Sequence, residues 1–207
     1  MSLLPDAWPQ VEVHHEPFTW LTTGVGELFD QATESALADN FPTESFERRT
    51  ADSRTSDKSY RNYSRVLHGP GVDTASGLPE IWADLLSDLL DPGYRKTVAD
   101  VLGVAPPAEL EIRLARHAPG DWLGPHTDRA DKLFSHVFYL NPGWRADWGG
   151  CLQVLGSDDP QDVVAEVVPE LGATALILRS DTSWHQVSKV APGVDRERAS
   201  LLVHGLN

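Results

Sequence analysis

The feature that most limits how this chain of 207 residues can fold is a change of rhythm after Pro106-Pro107. Beyond that pair, short runs of alternating and apolar residues recur at 110–117, 123–127, 132–140, 151–155, 163–168, 173–178, 184–190 and 199–204. Turn formers separate them: Pro119-Gly120, Asn141-Pro142-Gly143, Gly149-Gly150, the stretch from Gly156 to Pro160, Leu171-Gly172 and Pro192-Gly193. Short antiparallel strands of this number protect their edges when two sheets fold face to face. The pattern predicts a jelly roll over residues 108–207 of an α+β chain.

Residues 1–107 have a different texture. From Phe18 onward Leu21, Val25, Leu28, Phe29, Ala32, Ala36 and Leu37 recur at helical spacing, and Asn40-Phe41-Pro42 stops them. Pro79 opens a second helix that buries Ile81, Leu85, Leu86, Leu89 and Leu90, and Pro92-Gly93 interrupts it. A third runs from about Tyr94 to Leu102, with Gly103 placed to cap it. These helices are expected to pack outside one sheet as part of the same domain. Residues 48–65 show little periodicity and read as a long loop. No internal repeat or low-complexity segment interrupts this plan.

Charge and cysteine content narrow the function classes. The chain has 17 basic and 31 acidic residues, a formal net charge of −14, which repels phosphate backbones and anionic lipid. No nucleic acid and no membrane partner is expected, since no apolar stretch approaches the ~20 residues that span a bilayer. Cys151 is the single cysteine, so a disulfide within the chain and a thiolate metal site are excluded, and a reducing cytoplasmic setting fits. The first residues lack the basic and apolar runs of a signal peptide. The expected assembly is a monomer or homodimer.

Within the strand-rich half, His126 and Asp128 stand two apart, so on an extended chain their side chains share one face. His185 opens a strand 57 residues later and can return on the opposite sheet. A lone His-x-Asp is most often a surface pair. Two imidazoles and one carboxylate on one face of a metal suit Fe(II) with open positions for O2 and a co-substrate. Arg198 can pair with a carboxylate of that co-substrate. Arg196 is the competitor on the same strand face, within the Asp195-Arg196-Glu197 turn. His14, His15, His68, His136 and His204 lack partners at ligand spacing and read as structural.

The ordered set Pro119-Gly120-x5-His126-x-Asp128, Phe138-Tyr139-Leu140-Asn141, Gly149-Gly150-x-Leu152, His185-x-Val187 and Arg198-x-Ser200 resembles the core of the 2-oxoglutarate/Fe(II)-dependent dioxygenases, prolyl 4-hydroxylase-like branch. The resemblance implies the cupin-like double-stranded β-helix fold, with Fe(II), 2-oxoglutarate and O2 as cofactor and co-substrates and succinate and CO2 released. It implies His126, Asp128 and His185 as iron ligands and catalytic centre. Arg198 then holds the far carboxylate of 2-oxoglutarate, aided by Ser200 and Tyr139. The alternative for Tyr139 is an aromatic core residue. His117 falls where relatives place a pocket residue, and a satisfied core histidine is the competing reading. Because Asp128 is present, halogenation is disfavoured.

The substrate reading is a small molecule, an amino acid or natural-product intermediate, possibly anionic or carrier-bound. The alternative is a prolyl-type protein hydroxylase, and a third reading is a non-catalytic metal-binding jelly roll. Residues 48–65 hold six basic residues, Arg48, Arg49, Arg54, Lys58, Arg61 and Arg65, against Asp52 and Asp57. They suggest a lid that receives an anionic group; a solvated loop is the bland alternative. Trp122, Trp144, Trp148 and Trp184 crowd the motifs and either line a substrate pocket or pack the barrel.

Overall fold

A computed structural model describes residues 2–5, 8–51, 58–73 and 77–207. The first half supplies β1 (Trp20–Thr23), α1 (Gln31–Asp39), β2 (Glu47–Ala51), β3 (Tyr60–Gly69), β4 (Val72–Asp73), α2 (Glu80–Leu90) and α3 (Pro92–Leu102). The second half supplies β5 (Glu109–His117), β6 (Trp122–His126), β7 (Lys132–Tyr139), β8 (Leu152–Leu155), β9 (Val163–Val167), β10 (Thr174–Leu178), β11 (His185–Val187) and β12 (Arg198–Leu206). The strands run in the order β1-β10-β7-β12-β5-β3-β6-β11-β8-β9, with β2 and β4 on β3. This antiparallel sheet curls into a nearly closed jelly-roll barrel. The long strand β3 joins its two halves, pairing with β5 near Ser64 and with β6 at Tyr60 and Arg61.

Strand alternation divides the side chains. On β5, Leu110, Ile112 and Leu114 face α2 and α3, as do Phe134 and Phe138 of β7 and Leu201 and Val203 of β12. They meet Trp82, Leu85, Leu86, Leu89, Tyr94, Val98 and Leu102 in one buried cluster. The intervening residues, Arg113, Ala115 and His117 on β5, Ser135, Val137 and Tyr139 on β7, and Arg198, Ser200, Leu202 and His204 on β12, line the barrel interior. The helices thus close the outer face of the larger sheet and leave its inner face for chemistry.

The two later helices lie where proline and glycine place them. Asp91 caps α3 through the Gly93 N–H at 2.7 Å, and Gly103 ends it at φ 68°. The eight strands expected after residue 107 are all present.

Two readings of the first half are corrected. Residues 18–30 are not helical: Trp20 to Thr23 form β1 against β10, and helix begins at Gln31, capped by Asp30 accepting from Thr33 N–H at 2.7 Å. The apparent stripe mixes a buried strand residue, Leu21, with the loop residues Leu28 and Phe29, while Val25 is 54% exposed. Nor is the segment after Arg48 a long loop, since β2 and β3 pair from Glu47↔Ser64 to Ala51↔Tyr60. β2 is exposed, and β3 turns Tyr60, Asn62 and Ser64 toward a polar cavity, so no hydrophobic alternation marks either strand. The N-terminal region is therefore helical only in part. Residues 52–57, with Asp52, Arg54 and Asp57 of the expected lid, lie outside the described residues.

Candidate active site

His126 ends β6 and His185 begins β11, and the two are directly opposed in the antiparallel pairing. Their rings stand 4.3 Å apart, centre to centre. Asp128 follows β6 by two residues, and its Oδ2 lies 4.0 Å from His185 Nε2. One ligand atom from each of His126, Asp128 and His185 lies within 4.8 Å of the others, and all three residues are buried. A metal ion at their centre satisfies such an arrangement.

Proton positions fit metal binding. His126 Nδ1 lies 3.0 Å from the Gly124 carbonyl and His185 Nδ1 lies 2.9 Å from the Ser183 carbonyl. A carbonyl only accepts, so each Nδ1 carries the hydrogen and each Nε2 offers a lone pair. Burial, and for His126 the neighbouring His185, pushes these imidazoles below their ordinary pKa, which keeps them neutral as ligands must be. Asp128 is held ionised despite burial. Lys132 Nζ donates to its Oδ1 at 2.7 Å and Ser135 Oγ to its Oδ2 at 2.6 Å. His204 Nδ1 meets Ser135 Oγ at 2.7 Å. Since Ser135 spends its hydrogen on the carboxylate, His204 Nδ1–H donates to it. The buried, cation-paired carboxylate lies well below the usual range.

Arg198 opens β12 opposite His117 on β5, and only 2% of it is exposed. Its Nε donates to the Gly150 carbonyl at 2.6 Å and its Nη1 to Ser200 Oγ at 3.2 Å, with the guanidinium 5.2 Å from the centre of the Tyr139 ring. Gly150, at φ 68°, is required here: a Cβ would stand 3.0 Å from Arg198 Cδ and 3.2 Å from Val190. Two polar atoms beside this guanidinium, Tyr139 Oη and His117 Nε2, are buried without a hydrogen-bond partner. Burial raises the Tyr139 phenol to about 12 and lowers His117 well below its ordinary pKa. A buried cation with two unsatisfied polar neighbours fits an incoming carboxylate. Arg196, by contrast, is exposed, pairs with Asp195 and lies over Trp148.

A cavity of about 270 Å³ connects the two groups and is lined by His126, Asp128, His185, Arg198, Ser200, Tyr139 and His117. Among the lining residues, Lys132 and Ser135 carry no expectation from the sequence, and His204 is expected there only as a structural residue. The signal for His204 was present, because counting by twos from Arg198 along β12 reaches it. None of Trp122, Trp144, Trp148 and Trp184 lines this cavity. Trp144 instead packs with Val190 and Val194. Of the basic residues expected in a lid, Arg48 and Arg61 clasp buried Asp121 and Arg65 reaches the Glu44 carbonyl, while Arg49 and Lys58 reach the cavity.

Residues 112–204 match the family model described as 2OG-Fe(II) oxygenase superfamily. The chain is 26% identical over 150 residues to mouse prolyl 3-hydroxylase OGFOD1, covering 70% of this chain and 27% of that protein. It is 35% identical over 81 residues to prolyl 3-hydroxylase sudestada1 of Drosophila melanogaster, covering 34% of this chain and 15% of that one. The matches thus span about a quarter or less of these curated relatives. Among solved structures, a Pseudomonas putida prolyl-4-hydroxylase superposes with a TM-score of 0.64 at 22% identity, covering 91% of this chain and 92% of the other. A prolyl hydroxylase from Trichoplax adhaerens superposes with a TM-score of 0.64 at 14% identity, covering 90% and 83%.

Proposed function

We propose that this chain, whose residues 112–204 match the 2OG-Fe(II) oxygenase superfamily model, works with Fe(II), 2-oxoglutarate and O2 and hydroxylates an unactivated C–H bond of a prolyl residue in a polypeptide. The observation that carries the chemistry is the convergence of two Nε2 lone pairs and one carboxylate on a common point beside a cavity that ends at Arg198. His126, Asp128 and His185 would hold the iron beside the cavity, and two imidazoles with one carboxylate are a ligand set that suits Fe(II) binding a co-substrate and O2. When bound, the iron with its co-substrate supplies the oxidant for the C–H bond, and succinate and CO2 leave. Arg198 anchors the far carboxylate of 2-oxoglutarate, with Ser200, Tyr139 and His117 completing the cradle. The buried walls exclude water from the reacting centre.

The prolyl substrate is supported by the activity named for the mouse and fly relatives. A second reading is a small molecule such as a free amino acid or a natural-product intermediate, which the modest cavity of about 270 Å³ favours. The buried free thiol of Cys151 supports a reducing, cytoplasmic setting for either. Incubation with Fe(II), 2-oxoglutarate and O2, with proline peptides or a metabolite pool supplied separately, tests the proposal. It expects succinate together with peptides that have gained one oxygen atom; oxygen gained only by metabolites selects the second reading.

A further inference from the structure

The cavity has two positively charged ends, and the co-substrate accounts for one. Along β12 the inward residues run Arg198, Ser200, Leu202, His204, and on β5 they stand opposite His117, Ala115, Arg113 and Glu111. Arg113 is therefore four residues along the sheet from the Arg198 row, roughly 13 Å at the usual rise per residue. Three other elements bring cations to this far end: Arg49 from β2, Lys58 from the segment preceding β3, and Arg129 from the turn after Asp128. Against them stand Glu111, which pairs with Arg113 and Arg129, and Asp131, which pairs with Arg129. Lys132, nearby, is taken by Asp128. Neither Arg49 nor Lys58 has a carboxylate partner among the described residues. In a chain of net charge −14 such a concentration of cations runs against the average.

The crowding has an energetic sign. Lys58 is drawn down to about 8, first by burial and then, against the favourable pull of Asp128, by the like charges of Lys132, Arg113 and Arg129. Cations held together in a partly enclosed mouth raise the local potential and draw in an anion.

We propose that Arg49, Lys58, Arg113 and Arg129 form a second anion subsite that receives a carboxylate of the substrate, at the opposite end of the cavity from the carboxylate held by Arg198. The target carbon lies between them, beside the metal ligands. On the prolyl reading the carboxylate belongs to an acidic side chain close to the target proline; on the small-molecule reading it belongs to the molecule itself. The inference rests on the oxygenase reading of the same site.

The test separates the two. Substrate-free turnover of 2-oxoglutarate by the Fe(II)-loaded protein is measured first, and its absence counts against the oxygenase reading alone. Matched proline peptides carrying Asp or Glu, Ala, or Lys beside the proline are then compared, as are small carboxylates with their amides. Binding of labelled peptides to the metal-free protein is followed by fluorescence anisotropy, so the charge preference is read without catalysis. The expected result is at least about tenfold tighter binding of the acidic set than of the Lys set. That preference shrinks at high salt and in the Lys58→Gln/Arg113→Gln double variant. A preference for small carboxylates over their amides supports the subsite with the other source of carboxylate. Equal binding of acidic, neutral and basic sets to the wild-type protein at low salt, with no discrimination between carboxylate and amide, overturns it.

Discussion

The Lys132 ammonium lies 2.7 Å from Asp128 Oδ1, with 8% and 4% of the two side chains exposed. The carboxylate proposed to hold the metal is thus already neutralised by a buried lysine. Removing one partner of such a pair leaves a buried charge uncompensated, which costs about 3–5 kcal/mol. Lys132→Met is expected to destabilise the metal-free protein by about that much. Fe(II) then replaces the missing cation, so the variant gains more thermal stability from Fe(II) than the wild type does. Melting curves with and without the metal under anaerobic conditions check this; an equal gain in both proteins contradicts the coupling.

Ser135 connects Asp128 to His204 through bonds of 2.6 and 2.7 Å. Groups that orient a ligand typically change metal affinity by about 10–100-fold. Ser135→Ala is expected to weaken Fe(II) binding within that range while leaving the affinity for 2-oxoglutarate, measured at saturating metal, nearly unchanged.

Arg198 Nη1 and the unsatisfied Tyr139 Oη point to a carboxylate site. A charge-assisted bond contributes about 1.5–3 kcal/mol, so Arg198→Met is expected to raise the KM for 2-oxoglutarate by about 10–100-fold. Arg196→Met, on an exposed and separately paired residue, is expected to leave it unchanged. Steady-state kinetics at varied 2-oxoglutarate concentration distinguish the two, and the reverse pattern contradicts the assignment.

Asp121 is fully buried and accepts from Arg48, from Arg61 Nε at 2.7 Å and from the Ala118 N–H at 3.0 Å. It ties β2 and β3 to the turn that leads into β6 and His126. Because both arginines are partly solvated, Asp121→Asn is expected to cost about 2–3 kcal/mol, less than a wholly buried pair. Denaturant unfolding measures it.

His136 is buried on the helix-facing side of β7, with Nδ1 2.9 Å from Tyr94 Oη, and burial lowers its pKa from 6.5 to about 3. The folded protein therefore resists taking up a proton that the unfolded chain accepts. Stability from this group is complete above pH 6.5 and is lost as pH falls toward about 3. The loss approaches about 1.4 kcal/mol per pH unit inside that window. His136→Phe is expected to flatten the acid limb of stability against pH relative to wild type; identical slopes contradict it.

The strands beyond Pro106-Pro107 were legible because tight turns leave glycine and proline marks and because one face of β5, β7 and β12 packs on helices. β2 and β3 were not, since both carry polar residues toward water or toward a polar cavity, and apolar alternation vanishes where the inner face serves chemistry. β1 was hidden by Leu28 and Phe29, loop residues that continue a false helical stripe. His126, Asp128, His185 and Arg198 could be picked out because their chemistry narrows the choice of residue. Lys132 and Ser135 carry no such mark, and His204, although it shares the inner face of β12 with Arg198, reaches Asp128 only through the pairing of β12 with β7 at Ser135.

The most direct measurement is an anaerobic titration with Fe(II) in the presence of 2-oxoglutarate, comparing the wild type with His126→Ala, Asp128→Ala and His185→Ala. The account predicts one Fe(II) per chain in the wild type and loss of that binding in each variant, with folding verified by circular dichroism. Stoichiometric Fe(II) binding that survives all three substitutions contradicts it.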